Sequence, residues 1–214
     1  TIINGGTFNG GEAGAVISYG NTIINGGTIS GKYGVVSKIN GDGDVGNITF
    51  PETSTAVVTA ASMAFLTVAT NGSGGTFSAA GGTFNAPSLI GRAGEVDLVS
   101  VFTATGGTYN VDPSKSPANY IPSGGALAIF PTEIAGRTTY TVGANNIAQK
   151  AASVAPGEEI EILSGAVVLN NMPEGVIVKN SGTRQIVVNG APVSAGDQIE
   201  VGADPINVVP DMDN

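Results

Sequence analysis

Thr1 to Thr7 reads Thr-Ile-Ile-Asn-Gly-Gly-Thr, and Thr22 to Thr28 reads the same seven residues again, displaced by 21 positions. Short β-branched runs joined by glycine corners at a period of about 20 to 25 residues mark a stacked repeat, because one unit cannot bury its apolar face without a copy lying on it. The flanks keep the layout: Gly11-Glu12-Ala13-Gly14-Ala15-Val16 is echoed by Gly31-Lys32-Tyr33-Gly34-Val35-Val36, slipped by one residue. A degraded third copy follows, with Val45, Thr49 and Phe50 each 21 positions after Ile24, Thr28 and Ile29, and with Val57 and Val58 where Val36 and Ser37 stood. The kernel returns as Gly74-Gly75-Thr76-Phe77, Gly81-Gly82-Thr83-Phe84 and Gly106-Gly107-Thr108-Tyr109, at irregular gaps that suggest loops inserted between copies.

This spacing predicts an all-β chain built as a right-handed parallel β-helix, each layer about 4.8 Å above the last. Ile3, Ile24 and Val45 would form one inward ladder and Phe8, Ile29 and Phe50 a second. Asn4 and Asn25 would stack their amides. Asn-Gly-Gly between apolar runs also closes β-hairpins, so a sandwich or meander is the alternative. Composition agrees with strands: 42 valines and isoleucines stand against 6 leucines, and β-branched side chains favour the pleated sheet. With 33 glycines and 11 prolines, about a fifth of the 214 residues interrupt regular backbone.

The chain holds no cysteine, histidine or tryptophan. That removes disulfides, thiolate and imidazole metal sites, cysteine nucleophiles and histidine-based acid/base chemistry. A net charge of −9 opposes nucleic acid as a partner. No run of eighteen apolar residues is present, so no membrane insertion is expected within this segment. The chain opens on Thr1 without a signal segment, as a processed or trimmed piece would.

The Ile-x-Gly-Gly-Thr-Phe repeats, followed by Gly106-Gly107-Thr108-Tyr109-Asn110-Val111-Asp112-Pro113-Ser114 and then Tyr120, resemble large surface proteins of gut-dwelling bacteria whose β-helix repeats end in a "GGTFSxDPSxY" phrase. The resemblance covers about residues 1 to 122. Here Lys115-Ser116-Pro117 stand where the family phrase runs more directly into tyrosine. The resemblance implies a pectate-lyase-like right-handed β-helix at the bacterial cell surface, of the kind described as adhesins. It carries no active residues to transfer.

Composition shifts near residue 136, dividing the chain into β-helix repeats over 1–137 and a β-rich unit over 138–214. Asn145 or Asn146 is placed to cap a short helix with Ile147, Ala148, Ala151 and Ala152 on one face, stopped by Pro156-Gly157. Apolar clusters from Ile160 to Val209 recur at strand spacing. Val187-Val188-Asn189-Gly190-Ala191-Pro192-Val193 is a hairpin signal. The unit reads either as a second solenoid start capping the first stack or as a small sandwich.

Catalytic parts are scarce. Hydrolases of this fold that cut polygalacturonate use clustered aspartates with Gly-His-Gly and Arg-x-Lys, and none of Arg92, Arg137 or Arg184 is followed two residues later by lysine. Lyases of the fold need a calcium-binding carboxylate cluster beside a basic residue. The eight aspartates are scattered, and no carboxylate pair is singled out for glycoside hydrolysis.

Asn40-Gly41-Asp42-Gly43-Asp44 places oxygen ligands at alternate positions, as a calcium loop begins. Val45 stands where that loop's glycine belongs and Pro51 where its glutamate belongs, so Asn40, Asp42 and Asp44 read as a solvated turn. Phe8, Phe50, Phe77, Phe84 and Tyr109 read as core. Tyr19, Tyr33 and Tyr120 lie near turns, where exposed rings stack on sugars. Glu158-Glu159 and the tail from Asp211 to Asn214 read as solvated charge.

No catalytic, cofactor-binding or metal role is therefore assigned to any residue, and no cofactor is expected. The sequence points to a non-catalytic secreted or cell-surface bacterial β-helix, an adhesin or stalk with glycans or surface proteins as partners. A carbohydrate-active enzyme or glycan-binding module on the same fold is the alternative, and a trimeric phage or spore appendage a third.

Overall fold

A computed structural model describes residues 1–39, 44–69, 74–94, 102–113, 127–134, 137–143, 147–202 and 209–210. Strand dominates, with one short helix, as the composition demands. The chain forms two compact units, Thr1–Ile121 and Pro122–Asn214. The division falls before residue 137 because Leu127–Ile134 (β13) pairs along its length with Arg137–Gly143 (β14), keeping both strands in the second unit.

In the first unit, five successive segments lie side by side in parallel. The first contributes β1 (Ile2–Ile3), β2 (Thr7–Asn9) and β3 (Gly14–Ser18), and the second β4 (Thr22–Ile24) and β5 (Thr28–Lys38). The third gives β6 (Ile48–Phe50) and β7 (Val57–Val68), the fourth β8 (Phe77–Ala79), β9 (Thr83–Asn85) and β10 (Ser88–Ala93), and the fifth β11 (Phe102–Ala104) and β12 (Thr108–Tyr109). One sheet runs β1-β4-β6-β8-β11; a second path runs β2-β5-β7-β9-β12, with β3 on β5 and β10 on β7. All these pairings are parallel.

The first step has the register of the repeated block, Ile3 on Ile24 and Phe8 on Ile29, both 21 apart. The predicted amide stack is present, Asn25 Nδ2 donating to Asn4 Oδ1 at 2.7 Å. A second one, Asn47 Nδ2 to Asn21 Oδ1 at 3.2 Å, was not anticipated.

The third segment corrects the expected ladders. Thr22 pairs with Ile48 and Ile23 with Thr49, a step of 26, which brings Phe50 rather than Val45 into line with Ile24. Val45 instead bridges Ile39. Val58, not Phe50, lies on Ile29, and Leu66 and Thr67, not Val57 and Val58, lie on Val36 and Ser37. Extra residues at two corners cause this: the chain takes longer to pass from β5 to β6, and Pro51–Ala56 replaces the shorter Asn25–Gly27 corner. That longer corner is tied down by Ser54 Oγ donating to Ile24 O at 2.8 Å and Thr55 N to Asn25 O at 2.9 Å. The echo between the first two segments is slipped further than expected, since Val16 pairs with Val35.

The five Gly-Gly-Thr kernels are not all equivalent either. Gly6, Gly27, Gly82 and Gly107 occupy one column with φ of 105°, 112°, 93° and 90°, a backbone region open to glycine. Their carbonyls accept from Thr28, Val57 and Thr108 at 2.8, 2.9 and 3.0 Å for the first, second and third of them. Gly74–Phe77 belongs to the other sheet, where Phe77 lies on Ile48.

The interior is aromatic from the third segment upward. Phe50, Phe65, Phe77, Phe84, Phe102 and Tyr109 are fully buried. Phe65 lies 5.1, 5.0 and 5.1 Å from Phe77, Phe84 and Phe102, and Phe84 stacks on Tyr109 at 5.1 Å. The Tyr109 hydroxyl donates to Gly106 O at 2.8 Å, which satisfies its one polar atom inside the core.

The second unit mixes parallel and antiparallel strand pairing. The helix α1 (Ile147–Ala151) leads into β15 (Glu159–Ser164) and β16 (Val168–Leu169). β17 (Ile177–Asn180) and β18 (Ile186–Val188) then lie parallel on β15 and β16, 18 and 19 residues on. The chain afterwards reverses: β19 (Ala191–Val193) pairs antiparallel with β18, β20 (Asp197–Glu200) with β17, and β21 (Val209–Pro210) with β20. The predicted hairpin is present, with Asn189 and Gly190 at φ 46° and 85°, the two positive angles a two-residue turn of this hand requires. Helix α1 buries Ile147 and Ala151 but exposes Ala148 and Ala152. It ends at Ala151, well short of Pro156, and Val154 completes its buried side. The capping positions Asn145 and Asn146 lie outside the described residues.

Asn180 is fully buried. Its Nδ2 donates to the carbonyls of Arg184, Val193 and Ser194 at 2.9, 3.1 and 2.9 Å, while its Oδ1 accepts from Gly182 N at 3.2 Å. One side chain thus fixes the turn after β17 and the end of β19. Asn180→Ala is expected to destabilise the protein by about 2–3 kcal/mol, because several partly buried groups lose their partner at once; the denaturant midpoint checks it.

Candidate interaction surface

Strand alternation sends every second residue outward. On the β2-β5-β7-β9-β12 path the buried column is Phe8, Ile29, Val58, Phe84 and Tyr109; Phe8, in the first segment, is only half-buried. The neighbouring outward column is Thr7, Thr28, Val57, Thr83 and Thr108. Beyond it run Asn9, Ser30, Thr59 and Asn85. The other sheet presents Ile2, Ile23, Thr49, Ser78 and Thr103 outward. All are exposed or half-buried, and none is charged. Rows about 4.8 Å apart of hydroxyls, amides and methyls result. The Thr-aromatic-Asn triplets at Thr7, Thr83 and Thr108 carried the signal: the aromatic was read as core, while its outward neighbours went unread. Asn110 differs from the rest, its Oδ1 accepting from Ala86 N at 2.9 Å.

Asn40 and Asp42 lie outside the described residues, as does Tyr120. Asp44 precedes the Val45 bridge to Ile39, and Pro51 follows directly on β6. With proline, whose side chain offers no oxygen ligand, at the place of the bidentate carboxylate, the thermal midpoint is expected to be the same in calcium and in chelator; a calcium-dependent rise would show a site. Among the described residues, no three acids, histidines or cysteines are grouped to hold a metal.

Tyr19 is 49% exposed, and Tyr33 is half-buried with Lys32 Nζ 5.9 Å from its ring centroid.

In the second unit, a cleft of about 510 Å³ lies beside α1, lined by Phe130, Lys150, Ser153, Val154 and Glu158 among others. Glu158, read from the sequence as solvated, is half-buried here and its Oε2 accepts from Ala155 N at 3.1 Å. Ser153 Oγ donates to Lys150 O at 2.7 Å, and Lys150 Nζ sits 5.6 Å above the Phe130 ring. Ser153 and Glu158 thus serve the turn after α1. No helix among the described residues is long and apolar enough to cross a membrane. Comparison of the chain with protein-family models, with curated proteins and with solved structures finds no match.

Proposed function

We propose that residues 1–113 are successive coils of a right-handed parallel β-helix that serves as a non-catalytic scaffold, secreted or at a bacterial surface. The observation that supports this reading is the uncharged outward rows kept in register across five segments. Neutral hydroxyl and amide rows suit a neutral polar polymer, such as a host or bacterial glycan, whose hydroxyls exchange hydrogen bonds with them while methyls desolvate its apolar faces. The resemblance of the Gly-Gly-Thr-Phe repeats to adhesins of gut bacteria points the same way.

A glycan array probed with the whole chain, paired with a polysaccharide degradation screen, tests it. Binding to a neutral glycan is expected, lost in Thr28→Glu/Thr83→Glu with the melting midpoint kept. Turnover of any polymer overturns the non-catalytic reading in favour of a carbohydrate-active enzyme. Binding undiminished in the double variant removes the outward rows as the site.

A further inference from the structure

Among the described residues, no strand lies on the outer edge of the first segment. Gly5, Gly26, Gly81 and Gly106 each open a Gly-Gly-Thr kernel. A Cβ at Gly26 would lie 2.9 Å from Asn4 O, at Gly81 2.5 Å from Pro51 O, and at Gly106 1.9 Å from Ala80 O. Glycine is required there because the backbone of the preceding segment passes close by. At Gly5 nothing lies within 4 Å.

Asn4 repeats the pattern: its Oδ1 accepts from Asn25, and its Nδ2 has no partner among the described residues. In the second segment the N–H groups of Ile23, Asn25 and Thr28 donate to Thr1, Ile3 and Gly6 at 2.9, 2.7 and 2.8 Å. The same places one repeat earlier, Ile2, Asn4 and Thr7, face an uncovered edge. Ile2 is 63% exposed, and Ile3 and Phe8 are half-buried where Ile24 and Ile29 are fully buried.

We propose that this edge is a docking surface for one further strand segment of the same Ile-Ile-Asn-Gly-Gly-Thr chemistry, entering parallel. The block identity selects this occupant. Thr22–Thr28 presents the same side chains toward the edge and is covered by Thr1–Thr7, so the cover that fits Thr1–Thr7 is another such block. An incoming asparagine accepts from Asn4 Nδ2, continuing the ladder in its existing direction. A second whole copy fits worse, because two such edges meet antiparallel with asparagine donors opposed. The inference needs only the stacking of the first two segments and is independent of any glycan ligand.

Two linked experiments on the full chain test it. In the first, a synthetic acetylated peptide of the Thr1–Asn21 sequence is titrated onto the ¹⁵N-labelled protein. Amide exchange at Ile2, Asn4 and Thr7 is expected to slow about tenfold or more, as β-strand addition requires. A peptide of permuted sequence should leave it unchanged, and Asn4→Asp, which keeps the acceptor for Asn25 but loses the outward donor, should weaken binding about fivefold.

In the second, Thr1–Asn21 is duplicated at the start of the chain. The added block should become protected. Gly5→Ala in the original copy, neutral without the duplication, should then lower the melting midpoint. An unprotected added block, a neutral Gly5→Ala in both backgrounds, equal protection by the permuted peptide, or self-association through this edge each overturns the proposal. Loss of protection at Ile23, Asn25 and Thr28, whose N–H groups donate to the first segment, in the unmodified chain would overturn the stacking itself, and this inference with it.

Discussion

Phe65→Ala is expected to cost about 3–5 kcal/mol, the range for emptying a large aromatic site in a close-packed core. Phe65 is completely buried. Its ring stands 5.1, 5.0 and 5.1 Å from Phe77, Phe84 and Phe102 and 6.0 Å from Phe50, so it joins the third, fourth and fifth segments at one point. Truncation leaves four rings facing a void that none can fill alone, because each is held by its own strand register. Whole domains are stable by only about 5–15 kcal/mol. The variant should therefore lose a large part of its margin, seen as a fall in the urea midpoint followed by circular dichroism. Phe65→Leu should cost roughly half as much or less, since most of the volume is kept. An alanine variant within about 0.5 kcal/mol of the parent would contradict the shared aromatic core.

Gly106→Ala is expected to be comparably severe, while Gly5→Ala at the same place in the repeat should lie within about 0.5 kcal/mol of the parent. The contrast isolates stacking from intrinsic preference, since neither glycine has a positive φ. The methyl at 106 meets the Ala80 carbonyl oxygen 1.9 Å away, a backbone atom held by its own sheet. Relief requires the fourth and fifth segments to part, breaking the Thr105 N to Ala79 O and Gly106 N to Ala79 O bonds at 2.8 and 3.2 Å. Loss of soluble protein for Gly106→Ala alongside a normal melt for Gly5→Ala is the expected pair of results. Equal midpoints would mean that the fifth segment does not pack on the fourth as described.

The first step of the stack was legible because it is written twice: identical blocks fixed the 21-residue register and the Asn4 to Asn25 contact. Later steps were not, because corner length is nearly free where a loop faces solvent, while ladder register is held by buried side chains. Extending the period of 21 by arithmetic put Val45 where Phe50 belongs. A physical reading favours Phe50, the larger apolar side chain and the one that follows Ile48 at the two-residue spacing of a strand face.

The two roles of Gly-Gly-Thr were likewise invisible, since Gly74–Phe77 and Gly81–Phe84 differ only in which sheet receives the aromatic. In the second unit the Asn189-Gly190 turn announced itself. The helix face did not, because alanines at 148, 151 and 152 look alike in sequence and only 151 is covered. The outward threonine and asparagine rows were present in the sequence but became a surface only when register aligned them.

The parallel hydrogen bonds of the first unit also fix how it would respond to load. Bonds such as Thr28 N to Gly6 O and Thr108 N to Gly82 O lie along the direction in which the segments are piled. Tension applied along that direction meets them in series, one layer boundary at a time. Force across it, along the strands, must shear many bonds of a boundary together. The unit is therefore expected to yield more readily to pull along the direction of these bonds than to pull along its strands.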